Sequence, residues 1–233
     1  MENEILSSIE HFGVWVREKE SGLRLTRENY ATISTKPSFP EMFRFLDSKN
    51  ETYKDETTFE YKDSWCEKHY EQCMENFDLN MLLFSNLDPK EFNEKLNAYV
   101  KSEKFHECFD LKKYDGKEGC YILVLDQYCQ AYVGTTSNIK TRVMSHWSKK
   151  KSFDRLLFPI SAVTESVLSI DSFRALDTTR IFVRPEYNAS FSEHTLVKKF
   201  PPKFLCNRIS GGSLEEILYE EGFIIPRKNE FPI

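Results

Sequence analysis

The chain has 233 residues, of which 40% are apolar and 30% are charged, and this length suffices for a full hydrophobic core in one large domain or two small ones. Its longest apolar run, residues 120–125, is far shorter than the roughly 20 residues that span a bilayer. The first residues lack the basic start and long apolar stretch of a secretion signal. We therefore expect a globular, cytoplasmic protein without a membrane partner.

Charge is distributed unevenly along the chain. The net charge of −5 argues against a protein that coats nucleic acid without specificity. Residues 1–117 carry 17 Lys and Arg against 24 Asp and Glu, whereas residues 118–210 carry 13 against 8. This is typical of a nucleic-acid-facing domain joined to a region with another task, although solvated surface charge explains such a difference nearly as often. The turn-rich segment YDGKEG at this point predicts a boundary between residues 1–112 and 113–233.

The N-terminal region is predicted to be mainly helical and to have an accessory or recognition role. Asp88 followed by Pro89 is typical of a helix start, with aspartate at the N-cap and proline in the first turn. Phe92, Leu96 and Val100 then recur four residues apart. This spacing predicts the buried stripe of an amphipathic helix.

Beyond the boundary the pattern changes to two short strand-like runs, CYILVLD and QAYVG. The connection between them, residues 126–129, is short enough for a hairpin. In that register Leu123 faces Tyr132, and Tyr121 lies diagonally from Tyr132 on the same face of the ribbon. Both phenols are therefore predicted to point to one side.

A helix is predicted directly after the hairpin, in the segment NIKTRVMSHWSKKK. Ile139, Val143 and Trp147 recur every four residues and predict its buried stripe. Arg142 and His146 belong to a polar stripe immediately beside it. Both side chains should therefore border the sheet near the two tyrosines.

These residues resemble the GIY-YIG nucleases, a family named for two tripeptides on adjacent strands. Here the tripeptides read GCY at residues 119–121 and YVG at residues 132–134. Arg142 follows the second tyrosine by ten residues and His146 follows it by fourteen. Each tripeptide alone is a weak signal, and the joint spacing carries the resemblance.

Family members also carry a glutamate on a later helix and an asparagine further on. This chain offers Glu193 and Asn207, with two prolines between them, and the resemblance covers about residues 116–210. It departs from the family at Cys120, where isoleucine is usual, and over residues 153–179, which align with nothing. The resemblance implies an α+β fold with a small, mostly antiparallel three-stranded sheet flanked by helices.

The activity that the resemblance implies is divalent-metal-dependent hydrolysis of DNA phosphodiester bonds by an endonuclease, with RNA as an open alternative substrate. Glu193 would be the metal ligand for Mg²⁺ or Mn²⁺, with water and phosphate oxygens completing the coordination. Arg142 would hold a nonbridging phosphate oxygen, because its donors are fixed and its charge is permanent. A homodimer would supply the two active sites that cutting both strands requires.

The remaining site residues would transfer protons or orient the reacting groups. One tyrosine would take the proton of the attacking water; we favour Tyr121, with Tyr132 bonding the phosphate or sharing the role. His146 would tune that tyrosine or contact DNA. Asn207 would orient Glu193 or the scissile phosphate.

Plainer interpretations stay open. Ser190 and Glu193 have capping-box spacing, yet Glu193 shares a helical face with Leu196 and Val197, where a carboxylate needs a cation or hydrogen-bond donors. The chain could also be a nucleic-acid-binding module that keeps the nuclease fold with little or no turnover. A third alternative makes the N-terminal region a protein-interaction domain and the nuclease its accessory.

Overall fold

The computed structural model describes residues 8–18, 22–33, 62–148, 168–189 and 193–207. Within these ranges helices combine with antiparallel sheets, so the α+β class is confirmed. Its helices are α1 (Arg27–Ile33), α2 (Asp63–Ser85), α3 (Pro89–Ser102), α4 (Ile139–Ser148) and α5 (Glu193–Lys198). Its strands are β1 (Ser8–His11), β2 (Val14–Arg17), β3 (His106–Glu107), β4 (Gly119–Leu125), β5 (Gln130–Thr136) and β6 (Arg180–Pro185). None of the helices in this described part is long and apolar enough to cross a lipid bilayer.

The N-terminal region contains a hairpin as well as helices. Strands β1 and β2 pair antiparallel, and the turn between them places Phe12 and Gly13 at positive φ. Helix α3 begins as predicted, because the Asp88 side chain accepts a hydrogen bond from the Lys90 amide and proline follows at the first position. Its apolar stripe lies against the core.

The main sheet has the strand order β3, β6, β4, β5, and each neighbouring pair is antiparallel. It therefore has one strand more than the three that the resemblance implied. The additional strand, β3, forms because the chain leaving α3 runs beside β6, where the Cys108 amide also donates to the Ile181 carbonyl over 2.7 Å. Strand β4 at the centre is completely buried.

The predicted hairpin register is confirmed. Leu123 faces Tyr132, and Tyr121 faces Gly134 across the β4–β5 pair. The connection is a single 3₁₀ turn, Asp126–Tyr128, followed by Cys129 in the left-handed region at φ 49°. Helix α4 follows with its predicted apolar stripe buried.

Residues on both sides of the predicted boundary share one hydrophobic cluster. The rings of Phe92 and Phe204 meet edge to face with centroids 5.3 Å apart, and the Tyr99 hydroxyl donates to the Leu196 carbonyl over 2.9 Å. The division between residues 112 and 113 stays a prediction, and it runs through this shared core.

Candidate active site

The two tyrosines of the hairpin lie side by side, with ring centroids 6.1 Å apart. His146 lies against both, at centroid distances of 5.9 Å from Tyr121 and 5.1 Å from Tyr132. The charges of Arg142 and Glu193 both act on the two phenols. Five of the six predicted site residues are therefore brought together.

Gly134 makes the close approach of the two rings feasible. It is paired with Tyr121 across the hairpin, and a Cβ at this position would meet atoms of both Tyr121 and Tyr132 at less than 3 Å. Steric exclusion of a side chain therefore explains why the last residue of the second tripeptide is glycine. At the first tripeptide, a Cβ on Gly119 would lie 2.5 Å from the Arg184 carbonyl oxygen of β6.

The site has an exposed and a buried layer. Tyr132, Thr135, Arg142 and Glu193 are half-buried and form the layer that solvent reaches. Behind them, Tyr121 is 0% exposed, and His146 is buried as well. A ligand approaching from solvent would thus meet the Tyr132 phenol before the Tyr121 phenol.

A chain of hydrogen bonds runs inward from Tyr121. Its hydroxyl lies 2.8 Å from His146 Nε2, and His146 Nδ1 lies 2.6 Å from Oδ1 of Asp171. An ionised carboxylate only accepts hydrogen bonds, so this pairing assigns the imidazole proton to Nδ1. In the neutral imidazole, the Nε2 lone pair is then directed at the Tyr121 hydroxyl, which donates to it.

Asp171 is the site residue that sequence reasoning missed. It lies within residues 153–179, where the family resemblance offered no alignment. One signal could have found it: an aspartate between Ile170 and Phe173, in an apolar stretch, needs a partner for its buried charge. The structure supplies His146 as that partner.

The environment keeps both phenols protonated near neutral pH. Burial raises the pKa of Tyr121, and the charge of Arg142 offsets only part of that rise. The pKa of Tyr132 is raised well above its usual value by burial and then by the charges of Tyr121 and Glu193. Burial alone would lower the pKa of Arg142. Its interactions with the two phenols have the opposite and larger effect, so the Arg142 pKa is raised. A phenol here can accept a proton only if its own proton leaves at the same time.

Glu193 begins α5 and reaches the end of β5. Its Oε2 accepts hydrogen bonds from the Thr135 amide over 3.2 Å and from the Thr135 hydroxyl over 2.8 Å. These donors meet the predicted need of an inward-facing carboxylate. Ser190, the other member of the capping-box pattern, lies outside the described residues, while Leu196 and Val197 are buried as predicted.

Glu193 offers a single carboxylate to a divalent cation of the magnesium type. A carboxylate has about four lone-pair positions, and Mg²⁺ in proteins commonly takes one or two carboxylates and keeps water and phosphate oxygens as its other ligands. Across the described ranges, the structure contains no group of three or more His, Cys, Asp and Glu side chains suited to enclosing a metal ion. A cation here would therefore rely on Glu193 and on oxygens from water and substrate.

Asn207 is placed differently from the other five. Its Oδ1 accepts from the Val133 amide over 2.9 Å and its Nδ2 donates to the Val133 carbonyl over 2.6 Å, in a fully buried position. The neighbouring Cys206 amide donates to the Ala131 carbonyl. Asn207 thus fixes its segment along the outer edge of β5, the same edge that Glu193 reaches at Thr135.

Comparisons with protein-family models, curated proteins and solved structures found no match to this chain. The resemblance to the GIY-YIG nucleases therefore rests on the residues themselves and on their spacing.

Proposed function

We propose that this chain is a GIY-YIG-type endonuclease that hydrolyses DNA phosphodiester bonds with Mg²⁺ or Mn²⁺. The observation that carries the proposal is that a guanidinium, two phenols and a carboxylate meet at one site, of which all but the Tyr121 phenol are half-buried. Phosphodiester hydrolysis needs these groups together, because charge on the phosphate must be neutralised, a water must lose a proton and a departing oxygen must be stabilised. DNA is the proposed partner, with a homodimer as the arrangement for cutting both strands.

Arg142 would bind the phosphate. It is half-buried, and its fixed fork of donors suits a nonbridging phosphate oxygen. The electrostatic interaction of its charge with the two phenols would favour this position before substrate arrives. The phosphorus atom is then positioned next to the phenol that solvent reaches, which shortens the path of an attacking water.

Tyr132 is the phenol that we assign to the attacking water, in preference to the fully buried Tyr121. As the water oxygen bonds to phosphorus, its proton would pass to Tyr132, the Tyr132 proton to Tyr121, and the Tyr121 proton to His146 Nε2. Each phenol gains one proton and loses one, so neither has to exist as a free phenolate. The two rings lie side by side with centroids 6.1 Å apart, and the Tyr121 hydroxyl lies 2.8 Å from His146 Nε2, which supports this order.

Glu193 would hold the cation, with the Thr135 donors fixing the carboxylate's orientation. When bound, the cation would supply stabilisation of negative charge on the phosphate and on the leaving oxygen. The role of the chain itself is to present one correctly oriented carboxylate oxygen beside Arg142 and the phenols.

A nucleic-acid-binding module without turnover is the second candidate. The observation that favours it is the pair of hydrogen bonds from Thr135, which satisfy the Glu193 carboxylate without any metal ion. In that case Glu193 would be a structural residue at the end of β5.

Incubation of the purified chain with labelled duplex DNA, single-stranded DNA and RNA, each with Mg²⁺ or Mn²⁺, separates the two candidates. Glu193→Gln is the informative variant, because the glutamine oxygen can still accept from Thr135 while the charge that holds a cation is lost. Glu91→Gln is the matched control, since Glu91 forms only a part-exposed ion pair with Lys203, of a kind that contributes little to stability.

We expect the parent and Glu91→Gln to cleave DNA, and Glu193→Gln to lose cleavage by orders of magnitude with little change in melting temperature or DNA affinity. If Glu193→Gln cleaves as fast as the parent, Glu193 is not the metal ligand. If the parent binds nucleic acid but cleaves none of the three substrates, the binding module is the correct function.

A further inference from the structure

The innermost member of the buried hydrogen-bond chain, Asp171, lies beyond the proposed proton path, which ends at His146. Asp171 is 9% exposed, and its Oδ1 lies 2.6 Å from His146 Nδ1. His146 in turn contacts the Tyr121 hydroxyl over 2.8 Å. A buried carboxylate is thus joined, through one imidazole, to the phenols of the candidate active site.

The backbone around Asp171 fixes the position of its carboxylate. Asp171 lies in a 3₁₀ turn, Ile170–Ser172, whose N-cap Ser169 accepts a hydrogen bond from the Asp171 amide. The preceding residue, Leu168, donates from its amide to Asn80 Oδ1 on α2 over 3.1 Å, in a buried position. Because the turn and the residues that precede it are anchored in this way, the carboxylate is presented to His146 in a defined geometry.

We propose that Asp171 is a positioning residue for the nuclease reaction, acting through His146. By accepting the Nδ1 proton, it keeps His146 in the tautomer whose Nε2 lone pair faces Tyr121, and its negative charge stabilises the imidazolium that forms when the Tyr121 proton arrives. In that step the Tyr121 O–H bond breaks and an Nε2–H bond forms, while the Tyr121 oxygen receives the proton of Tyr132. The role in catalysis rests on the proposed function, whereas the control of the tautomer does not.

Replacing an aspartate that orients an imidazole by the isosteric asparagine changes which ring nitrogen carries the proton. An asparagine can donate to Nδ1, which then carries the lone pair, and the proton moves to Nε2. With Nε2 protonated, His146 can no longer receive the Tyr121 proton. A merely structural aspartate would affect stability and leave the tautomer and the turnover of the folded enzyme unchanged.

Nitrogen-15 NMR of the full chain, labelled at histidine, tests the tautomer directly. The chain has five histidines, and a His146→Gln variant identifies the His146 signals by their disappearance. We expect the parent to show His146 protonated at Nδ1 and unprotonated at Nε2 at neutral pH, and Asp171→Asn to show the reverse. Asp126→Asn is the control, because its carboxylate pairs with Arg180 outside this chain of hydrogen bonds, and His146 should keep the parental tautomer.

Cleavage kinetics test the consequence. We expect Asp171→Asn to lower kcat by about 10²–10⁴-fold, the range for loss of general acid–base assistance, with KM unchanged because Asp171 does not reach the solvent-facing layer. In a His146→Gln background, Asp171→Asn should lower kcat no further, since Asp171 acts only through His146.

The proposal is overturned if His146 in the parent is neutral and protonated at Nε2. This test needs no variant, so it stays decisive even if Asp171→Asn fails to fold. An unchanged kcat in folded Asp171→Asn overturns it as well. If the parent cleaves no nucleic acid while the tautomers behave as expected, the proposed function fails and the control of His146 by Asp171 stands.

Discussion

Gly134 lies directly against the hydroxyl of Tyr121, at a distance that leaves room for hydrogen and for nothing larger. A Cβ at position 134 would be 2.5 Å from the Tyr121 oxygen and 2.8 Å from Cε1 of Tyr132. Gly134 is not among the described residues with positive φ. The site therefore uses the absence of a side chain at this position, and the conformational freedom of glycine has no part in it.

Gly134→Ala should impair the site more than a single methyl group suggests. The added carbon forces the Tyr121 ring away from His146, and overpacking of this kind typically costs about 1–3 kcal/mol of stability. We expect cleavage to fall strongly in the folded variant. Urea unfolding and cleavage assays at saturating substrate measure the two effects separately.

The Tyr121→Phe background provides the control for this clash. Without the hydroxyl, the ring is released from His146 and can shift, so Gly134→Ala should cost less stability there than in the parent. An equal cost in both backgrounds would show that the clash at position 134 does not depend on the Tyr121 hydroxyl.

Asn207→Asp should destabilise the fold, because the variant loses the donor to the Val133 carbonyl and places a carboxylate beside that oxygen in a buried position. The expected loss is about 1–3 kcal/mol. Asn86→Asp is the matched control, since Asn86 also donates from Nδ2 to a backbone carbonyl, that of Leu82, but on the surface. Its cost should stay within about 0.5 kcal/mol.

Urea midpoints of the two variants measure this difference, and similar midpoints would contradict the structural role of Asn207. Cleavage per folded molecule separates the roles further. If Asn207 contacted the scissile phosphate, Asn207→Asp would lower kcat/KM well beyond the effect of unfolding.

Stability should decline as pH rises above about 9. Burial, reinforced by Glu186, raises the pKa of the Cys120 thiol from its usual 9.0 to about 12, and burial raises the pKa of Cys108 to about 11. In this interval the unfolded chain loses thiol protons that the folded chain retains, so the free energy of unfolding falls with increasing pH. The stability contributed by these protonated thiols is fully present below about pH 9 and is lost by about pH 12.

Thermal melts at a series of alkaline pH values measure this decline. Cys120→Ala removes one of the two thiols and should make the dependence of the melting temperature on pH shallower between about pH 9 and pH 11. Identical slopes for parent and variant would show that the Cys120 thiol is not held protonated by the fold.

A fragment of residues 113–233 should fail to fold cooperatively. The fragment lacks β3 and the Tyr99 hydroxyl that donates to the Leu196 carbonyl. It also lacks Phe84, whose ring centroid lies 6.4 Å from that of Phe173. Circular dichroism during heating, with the full chain as the control, measures the result. A sharp melting transition of the fragment alone would establish the two separate domains predicted from charge and periodicity.

The parts of the fold that could be predicted from sequence are those with local patterns. Alternating side chains and a short connection determine the β4–β5 register, so the placement of Tyr121 opposite Gly134 followed from the sequence. A spacing of four residues likewise determines which face of α4 is buried. Arg142 and His146 were placed correctly because they are neighbours of that face.

The remaining features depend on contacts between distant segments. Strand β3 has two residues, too few for any periodic pattern, and strands β1 and β2 have four each. Asp171 meets His146 only because its 3₁₀ turn packs beside α4, 25 residues away in sequence. The pairing of Asn207 with Val133 spans 74 residues, and an asparagine in isolation gives no sign of which backbone it will bond.

The outer edge of β5 bears on how copies of this chain can associate. An edge strand with unpaired amides and carbonyls can form backbone hydrogen bonds with a strand from another molecule, and proteins commonly cover such edges. Here Glu193, Cys206 and Asn207 occupy backbone groups at alternate positions of the strand, from Thr135 back to Ala131. A dimer therefore cannot form by continuing the sheet at β5. Detachment of residues 193–207 would disassemble the site and, in the same event, expose a surface prone to aggregation.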